Sequence, residues 1–545
     1  MLESSEARAI ETQLDFPNSA GNIAIDANKK YRWLILIGLV VSAVLEVMDT
    51  SILNVALPQM AGTLAVTTTD VAWVSTAYLL ANVVFLPMTA WLGQRFGRKN
   101  YLVACVAIFA VARLMCAFSP SLAMVCFWRL LQGAAGAALI STSQAVLVEI
   151  FPAEQQTVVQ ALFGLGLVVA PAVAPLLGGW ITDNYSWQTI FYIHVPVALL
   201  SLYLIGALYG DVSTKESRAA AGKIDIPGLA LLAIGFGSLQ YVLEEGQRYD
   251  WFGDLWITRL TIIAVIGIAA MIIWELWSSN KSPLVNLRIY GNRGLWSAVM
   301  ISFVAGVGIY GINYVFALFV QAGLHFTSIK SGEALVPMGL GGMLSLVVMA
   351  VVGNRLDARI QIVLSLVSAT AGCWMLGFNT QNTDLGDTWL PLTLIGFGIG
   401  GIIMPVAVAA FAALKPSECA DGSAQLGLGR QLGGSFGIAL LNTYISHMND
   451  VHRSTIVRHL STANQLFMHD AYGIAGILSQ HGFHGPLAKS AALGIISQMV
   501  TLQCMLKAYN SGFQLMAIIF AACLPLVALL KGPKPGGSAG TPVTH

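Results

Sequence analysis

Charge is what this chain has least of. Asp, Glu, Lys and Arg make up only 10% of its 545 residues, against about 25% in a soluble domain. The formal net charge is +1 and no basic stripe runs along any segment, which argues against a nucleic-acid partner. Cysteine offers no scaffold. The seven cysteines lie mostly in apolar runs without CxxC spacing, so neither a disulfide framework nor a zinc site is indicated. No GxxxxGK[ST] phosphate loop and no HExxH pair occurs; ATP-driven transport and zinc hydrolysis are therefore set aside, no metal or cofactor is expected, and the chain does not read as an enzyme. The amino-terminal stretch is polar and acidic, the opposite of a secretory leader.

What the chain has instead is long apolar runs. It is 56% hydrophobic with mean hydropathy +0.72, and each membrane-spanning helix needs about 20 apolar residues. Fourteen runs qualify, near 33–56, 71–91, 100–118, 122–148, 158–181, 188–209, 227–244, 257–277, 295–321, 332–352, 360–378, 389–413, 422–446 and 511–530. Lipid cannot bond a bare backbone, so runs of this length are helices. The expected fold class is an all-α polytopic membrane protein. Basic residues concentrate in alternate links, among them Lys29, Lys30 and Arg32, then Arg95, Arg98 and Lys99, then Lys281, Arg288 and Arg293. The intervening short links at 57–70, 119–121, 182–187 and 379–388 have none. The positive-inside rule then places both termini in the cytoplasm. One long polar connection, 447–510, is expected outside; its segments 461–480 and 487–508 suit helices, and its His481–His484 pair reads as solvated rather than metal-binding.

Two acids interrupt the first run. Glu46 and Asp49, three residues apart in LEVMDTSILNVALP (45–58), share one helix face. A charge at bilayer depth costs roughly 2.5–3.5 kcal/mol on insertion scales, so intramembrane acids mark proton or ion sites unless a buried arginine explains them. Arg113 in the third run and Arg129 in the fourth nearly balance the acids in charge, and a single buried network of the four is expected. An arginine cannot itself carry the proton, but its movement changes a neighbouring acid's affinity for one. Arg430 lies in the thirteenth run. Gln144, Asn313 and Gln321 are polar groups in apolar surroundings, and Tyr310 and Tyr314 are aromatic neighbours of Asn313; these are the candidate substrate contacts.

The chain also repeats itself weakly. Gly93-Gln94-Arg95-Phe96-Gly97-Arg98 follows the second run, and Gly353-Asn354-Arg355-Leu356-Asp357-Ala358-Arg359 follows the tenth. Equating them pairs runs 1–6 with runs 9–14 and leaves runs 7–8 as an insertion, a transporter pattern with the substrate site between halves. The expected organisation is a cytoplasmic segment at 1–32, a six-helix bundle at 33–209, a linker with two inserted helices at 210–280, a second six-helix bundle at 281–530 carrying the outer loop 447–510, and a disordered cytoplasmic tail at 531–545.

Four motifs in order carry a resemblance. LEVMDTSILNVALP, GQRFGRK at 93–99, RLLQG at 129–133 and GLGLVVAPAVAPLLGG at 164–179 resemble the motifs of the fourteen-span drug:proton antiporters of the major facilitator superfamily, the EmrB/QacA type. The resemblance implies the major facilitator fold and proton-coupled export of hydrophobic or amphipathic compounds across a bacterial inner membrane. It implies Asp49 as the coupling acid, Asn54 as a further residue of the same motif near substrate, and, in a Gram-negative host, a periplasmic adaptor and an outer-membrane channel. Gly93 and Gly97 are expected to permit a tight helix turn, with Arg95 and Arg98 holding that side. The fifth motif helix, with Gly164, Pro171, Pro175, Gly178 and Gly179, is expected to bend and seal one side. The chain departs from the family at Gln94, where an acid is usual; Arg355 and Asp357 in the second copy keep the pattern. Export of a dedicated metabolite, lipid or siderophore on the same fold is a second reading, and a membrane receptor or scaffold without transport is a third.

Overall fold

The computed structural model describes residues 19–152, 155–211, 225–277, 283–324, 326, 328–352, 356–412, 414–415, 418–458, 460, 465–480 and 485–530. Every long element among them is an α-helix. In chain order these are α1 Ser19–Thr63, α2 Trp73–Phe96, α3 Arg98–Ala117, α4 Leu122–Ile150, α5 Gln156–Asn184, α6 Gln188–Leu208, α7 Ile226–Glu245, α8 Leu255–Leu276, α9 Arg293–Leu318, α10 Ser328–Val352, α11 Ala358–Leu376, α12 Leu385–Ala412, α13 Cys419–Arg458, α14 Gln465–Gln480 and α15 Pro486–Val527. Thirteen of them are long and apolar enough to cross a bilayer. The fourteenth expected span is α13, too polar to qualify by composition. Its polarity faces inward: residues 422–429 and 433–435 are buried, and its backbone lies directly on α9. A Cβ on Gly306 of α9 would come within 2.0 Å of the Arg430 carbonyl oxygen, and one on Gly433 within 2.0 Å of the Phe303 carbonyl oxygen. The same stretch, Gly433 to Gly437, has the GxSxG spacing of a hydrolase nucleophile turn. It lies mid-helix, and Ser435 accepts a bond from Gln240 Nε2 at 2.7 Å, so those glycines serve packing.

Two cores form. One joins α1, α3, α4, α5 and α6 around Leu39, Phe109, Leu139 and Phe163. The other joins α9 to α13 and α15 around Phe316, Phe319, Phe513 and Phe520. The two sets of helices meet along two seams. On one, α5 lies on α10, close enough that a Cβ on Gly342 would meet Val168 Cγ1 at 2.1 Å. On the other, α2 and α4 approach α13. The pair α7 and α8 packs tightly through Gly235 and Gly267 and leans on this second seam, with Phe236 and Met271 in one cluster with Val83, Leu86 and Leu428.

Two details differ from expectation, and a third, the helical character of the 447–510 connection, agrees with it. Pro87 removes a backbone donor, and α2 passes through a 3₁₀ turn at Leu86–Met88 instead of running as a regular α-helix. Gly97 has φ 86°, which a side chain would strain, but a Cβ on Gly93 would meet nothing nearer than 3.7 Å; only Gly97 is needed for the tight turn. The 447–510 connection is largely helix. α13 and α15 are 40 and 42 residues long, about 60 Å each at 1.5 Å per residue, so each projects well beyond a hydrocarbon core of about 30 Å. Between them α14 packs on α15 through Ile474, Leu478, Ala488 and Ala492. No helix-breaking cluster separates 487–508 from 511, and the two form one rod. His481, His484, Arg355 and the tail from 531 lie outside the described residues.

Candidate functional site

Asp49 sits where α1 faces α3 and α4, buried to 1% exposure. Arg113 of α3 and Arg129 of α4, equally buried, each donate to one of its carboxylate oxygens. Gln132 Nε2 adds a third donor at 3.0 Å. Arg129 is pinned on its other side: Nε donates to the Val74 carbonyl of α2 at 2.9 Å, Nη1 to Gln132 Oε1 at 3.0 Å, and its guanidinium stacks 4.5 Å from the Tyr78 ring. The glycine of RLLQG makes this possible, because a Cβ on Gly133 would come within 2.2 Å of the Tyr78 carbonyl oxygen. Arg113 Nη2 reaches the Ile190 carbonyl at 3.3 Å and His194 Nδ1 of α6 at 3.0 Å. His194 Nδ1 also lies 2.9 Å from the Ile190 oxygen, so the ring nitrogen either accepts from Arg113 or donates to that carbonyl, not both. One acid and two guanidiniums leave this cluster with one excess positive charge.

Glu46 belongs to a different environment. Asn82 Nδ2 of α2 donates to Oε1 at 3.2 Å, and the Ile140 backbone N–H of α4 donates to Oε2 at 3.1 Å. Neither donor is cationic. The carboxyl borders a cavity of about 390 Å³ that Thr50, Tyr78, Tyr310, Arg430 and Gln431 also line. A second cavity of about 600 Å³ adjoins it, walled by Pro171 of α5, Asn313 of α9, Met338 of α10 and Ile399 of α12. A third, about 340 Å³, is lined by Gln144 and Ser302. Val47, Ile140 and Tyr310 line both of the first two, and Arg430 lines all three. The three form a central cleft between the two sets of helices, mostly apolar with one acid and one arginine.

A buried acid–arginine cluster in the first six helices, beside a cleft shared with the last six, is the layout of a membrane transporter. A sequence profile of the Major Facilitator Superfamily matches residues 39–438. The chain belongs to the major facilitator superfamily. Among its relatives is the multidrug export protein EmrB of Escherichia coli K12, 30% identical over 509 residues that cover 93% of this chain and 97% of EmrB. Another is the fatty acid resistance protein FarB of Neisseria gonorrhoeae, 29% identical over 497 residues, 91% of this chain and 95% of FarB. The solved structure of the proton:xylose symporter XylE superposes with TM-score 0.57 at 14% identity, covering 92% of this chain and all of that one; it shares the fold.

Within this superfamily member the four expected charges do not make one network. Arg113 and Arg129 both turn to Asp49, and Glu46 faces the cleft on the same helix. Tyr310, Asn313, Gln144 and Arg430 line the cleft. Tyr314 is half-buried beside the second core instead, and Gln321 is exposed, donating to Ser331 at 3.2 Å past the end of α9. Asn54 is on α1, with its side chain outside the described residues. Pro171 lines the cleft, while Gly164 and Gly178 face Leu346 of α10 and Ile52 of α1; α5 stays continuous through Pro171 and Pro175, with Gly179 buried near its end. Arg98 pairs with Glu149 at the end of α4, which supplies the acid that Gln94 does not. Arg95 is exposed in the last turn of α2, and Asp357 caps α11 by accepting from the Arg359 N–H at 2.9 Å. Reasoning from sequence missed Gln132, Asn82 and His194. Each is a buried polar residue in a largely apolar helix, and Gln132 stands one turn from Arg129.

Proposed function

We propose that this chain exports hydrophobic or amphipathic compounds in exchange for protons, by alternating access, from a bacterial inner membrane with both termini in the cytoplasm. The relatives EmrB, a multidrug export protein, and FarB, a fatty acid resistance protein, support this reading. The observation that carries the coupling is the pair of acids on α1: Asp49 locked between two guanidiniums, and Glu46 one turn away at the cleft. In this reading Asp49 is the coupling acid. Protonating it removes the charge that holds Arg113 and Arg129, so α3 and α4 are released from α1. Glu46 and Arg430 meet the cargo, and Tyr310, Asn313 and Gln144 shape its site. A charge moving inward down 100 mV supplies about 2.3 kcal/mol, and each pH unit about 1.4. In a Gram-negative host a periplasmic adaptor would engage the projecting ends of α13 and α15.

The test is proton release on cargo addition to purified protein, across a panel of compounds. Asp49→Asn should abolish release and leave cargo binding intact but independent of pH. Glu46→Gln should retain release and change preference for cationic cargo. Release from Asp49→Asn together with silence from Glu46→Gln would reverse the two roles. No proton flux from any compound in proteoliposomes would remove the antiport reading.

A further inference from the structure

A fourth cavity lies outside the central cleft, under the inserted helices. It is a groove with about 700 Å³ of empty space, bounded by Phe236 of α7, Ile268 and Met271 of α8, Val285 and Tyr290 of the following link, Val299 and Phe303 of α9, and Leu428 and Leu432 of α13. Its lining carries no charge. Its two polar side chains satisfy each other, the Tyr290 hydroxyl donating to Gln425 Oε1 at 2.8 Å. The groove opens to the bilayer beside Ile272, which is 41% exposed. At its link end Arg288 and Arg293 are both exposed, Arg288 standing between the lining residues Leu287 and Tyr290 in sequence.

Neighbouring residues of the chain line this groove and the central cleft on each side of the seam. Pro87 lines the groove and Leu86 the cleft; Leu428 lines the groove and Gly427 the cleft. Leu86 closes the gap over Gly427, where a Cβ would meet Leu86 Cδ2 at 3.2 Å. The helix carrying that seal is the one interrupted by the 3₁₀ turn at Leu86–Met88, so the seal stands on backbone that lacks the full α-helical ladder.

We propose that the groove is a binding site for a single-chain anionic amphiphile, a long-chain fatty acid by class, with its tail between α8, α9 and α13 and its carboxylate toward Arg288 and Arg293. It is the antechamber through which such cargo leaves the leaflet and reaches the cleft past Leu86. The antechamber role rests on the export reading above; the binding site does not. The occupant follows from the surroundings: hydrocarbon lining excludes a buried charge, the basic rim selects a negative head, and one chain, unlike a phospholipid's two chains and headgroup, matches a slot that ends at a one-residue seal.

The experiment uses the full chain in phosphatidylcholine nanodiscs, a sixteen-carbon fatty acid with a photoreactive diazirine on its chain, and peptide mapping by mass spectrometry. Adducts are expected on 268–272 and 428–432. Ile268→Trp and Ile272→Trp, which fill the groove from α8, should each suppress them several-fold, whereas Ile266→Trp on the outer face of α8 should not. Arg288→Gln with Arg293→Gln should weaken labelling by the fatty acid and leave labelling by the matching long-chain alcohol unchanged. Adducts confined to the outer face of α8, or insensitive to Ile268→Trp, would overturn the site. A photoreactive phosphatidylcholine that labels the same peptides and is not displaced by fatty acid would make the occupant a resident lipid and overturn the assignment. No proton gradient or transport is involved, so a failed antiport assay leaves this result standing, and the reverse holds.

Discussion

Replacing Asp49 by Asn should destabilise the protein, and the loss should be partly repaired by removing Arg113. The native cluster holds one carboxylate and two guanidiniums, all about 1% exposed, a net charge of +1. Asn keeps the size and one acceptor oxygen but leaves +2 with no counter-ion, and turns an amide N–H toward a guanidinium. Removing one partner of a buried pair costs about 3–5 kcal/mol. Arg113→Gln alone leaves a one-to-one pair of Asp49 with Arg129, and loses the bonds to Ile190 and His194, at about 1.5–3 kcal/mol per bond involving a charged group. In the double variant the excess charge returns to +1, so the combined loss should fall short of the sum by more than about 1 kcal/mol, as expected of residues in contact. At about 2–4 °C per kcal/mol for a unit of 150–250 residues, the size of α1–α6, Asp49→Asn should lower the unfolding midpoint by roughly 6–20 °C. Thermal unfolding of the detergent-purified protein without cargo reads all four corners of the cycle. A midpoint for Asp49→Asn within about 2 °C of the parent, or strict additivity in the double variant, would refute the charge argument.

Other outcomes follow from particular contacts. Gly97→Ala should cost about 1–3 kcal/mol because a side chain at that positive φ is strained, while Gly93→Ala, whose new Cβ meets nothing nearer than 3.7 Å, should leave the unfolding midpoint unchanged; equal loss from both would contradict the turn geometry. Reporter fusions after Lys223 and after Lys534 should read cytoplasmic and one within 450–505 external, and an external signal at Lys534 would sink the orientation. Shortening the chain between Leu460 and Gly485, which removes α14, should spare cargo binding in detergent while weakening export from cells; loss of binding in detergent would place that arm in the cargo site.

The helices were legible because lipid leaves a spanning chain few choices: an apolar run of some twenty residues becomes a helix whatever its neighbours do. Composition was least reliable where a helix lines the interior. α13 is too polar to register as a span among the described residues, yet the polar residues Gln425, Arg430 and Ser435 are the reason it belongs at the centre. The acids and arginines of the site were legible as a set, since each charge in a membrane needs a reason. Their pairing was not. Spacing placed Glu46 and Asp49 on one face, but which guanidinium reaches which acid depends on how the helices pack, as where Gly133 lets α4 lie against Tyr78 and Arg129 stack on its ring. The groove under α7 and α8 was invisible for a similar cause: its walls come from five helices and a link, and nothing in any one of them differs from lipid-facing sequence.

The separation of the two acids has a mechanical consequence. Arg129 and Ile140 are eleven residues apart on α4, about three full turns, so they lie on one face of that helix. Through that face α4 holds α1 twice: Arg129 grips Asp49, and the Ile140 N–H grips Glu46. Arg129 also ties α4 to α2 at Val74, and Asn82 of α2 holds Glu46 from the other side. A shift of α4 that follows loss of the Asp49 charge therefore reaches the Ile140 donor without any chain of intermediates, since helix, donor and guanidinium are one rigid element. Protonation at a site with no access to the cleft would in this way alter the acid that does line it. Placing both carboxyls in the cleft would put two like charges in competition for one proton; keeping them in separate surroundings one turn apart would let a closed charge cluster respond to the proton and an open carboxyl respond to the cargo.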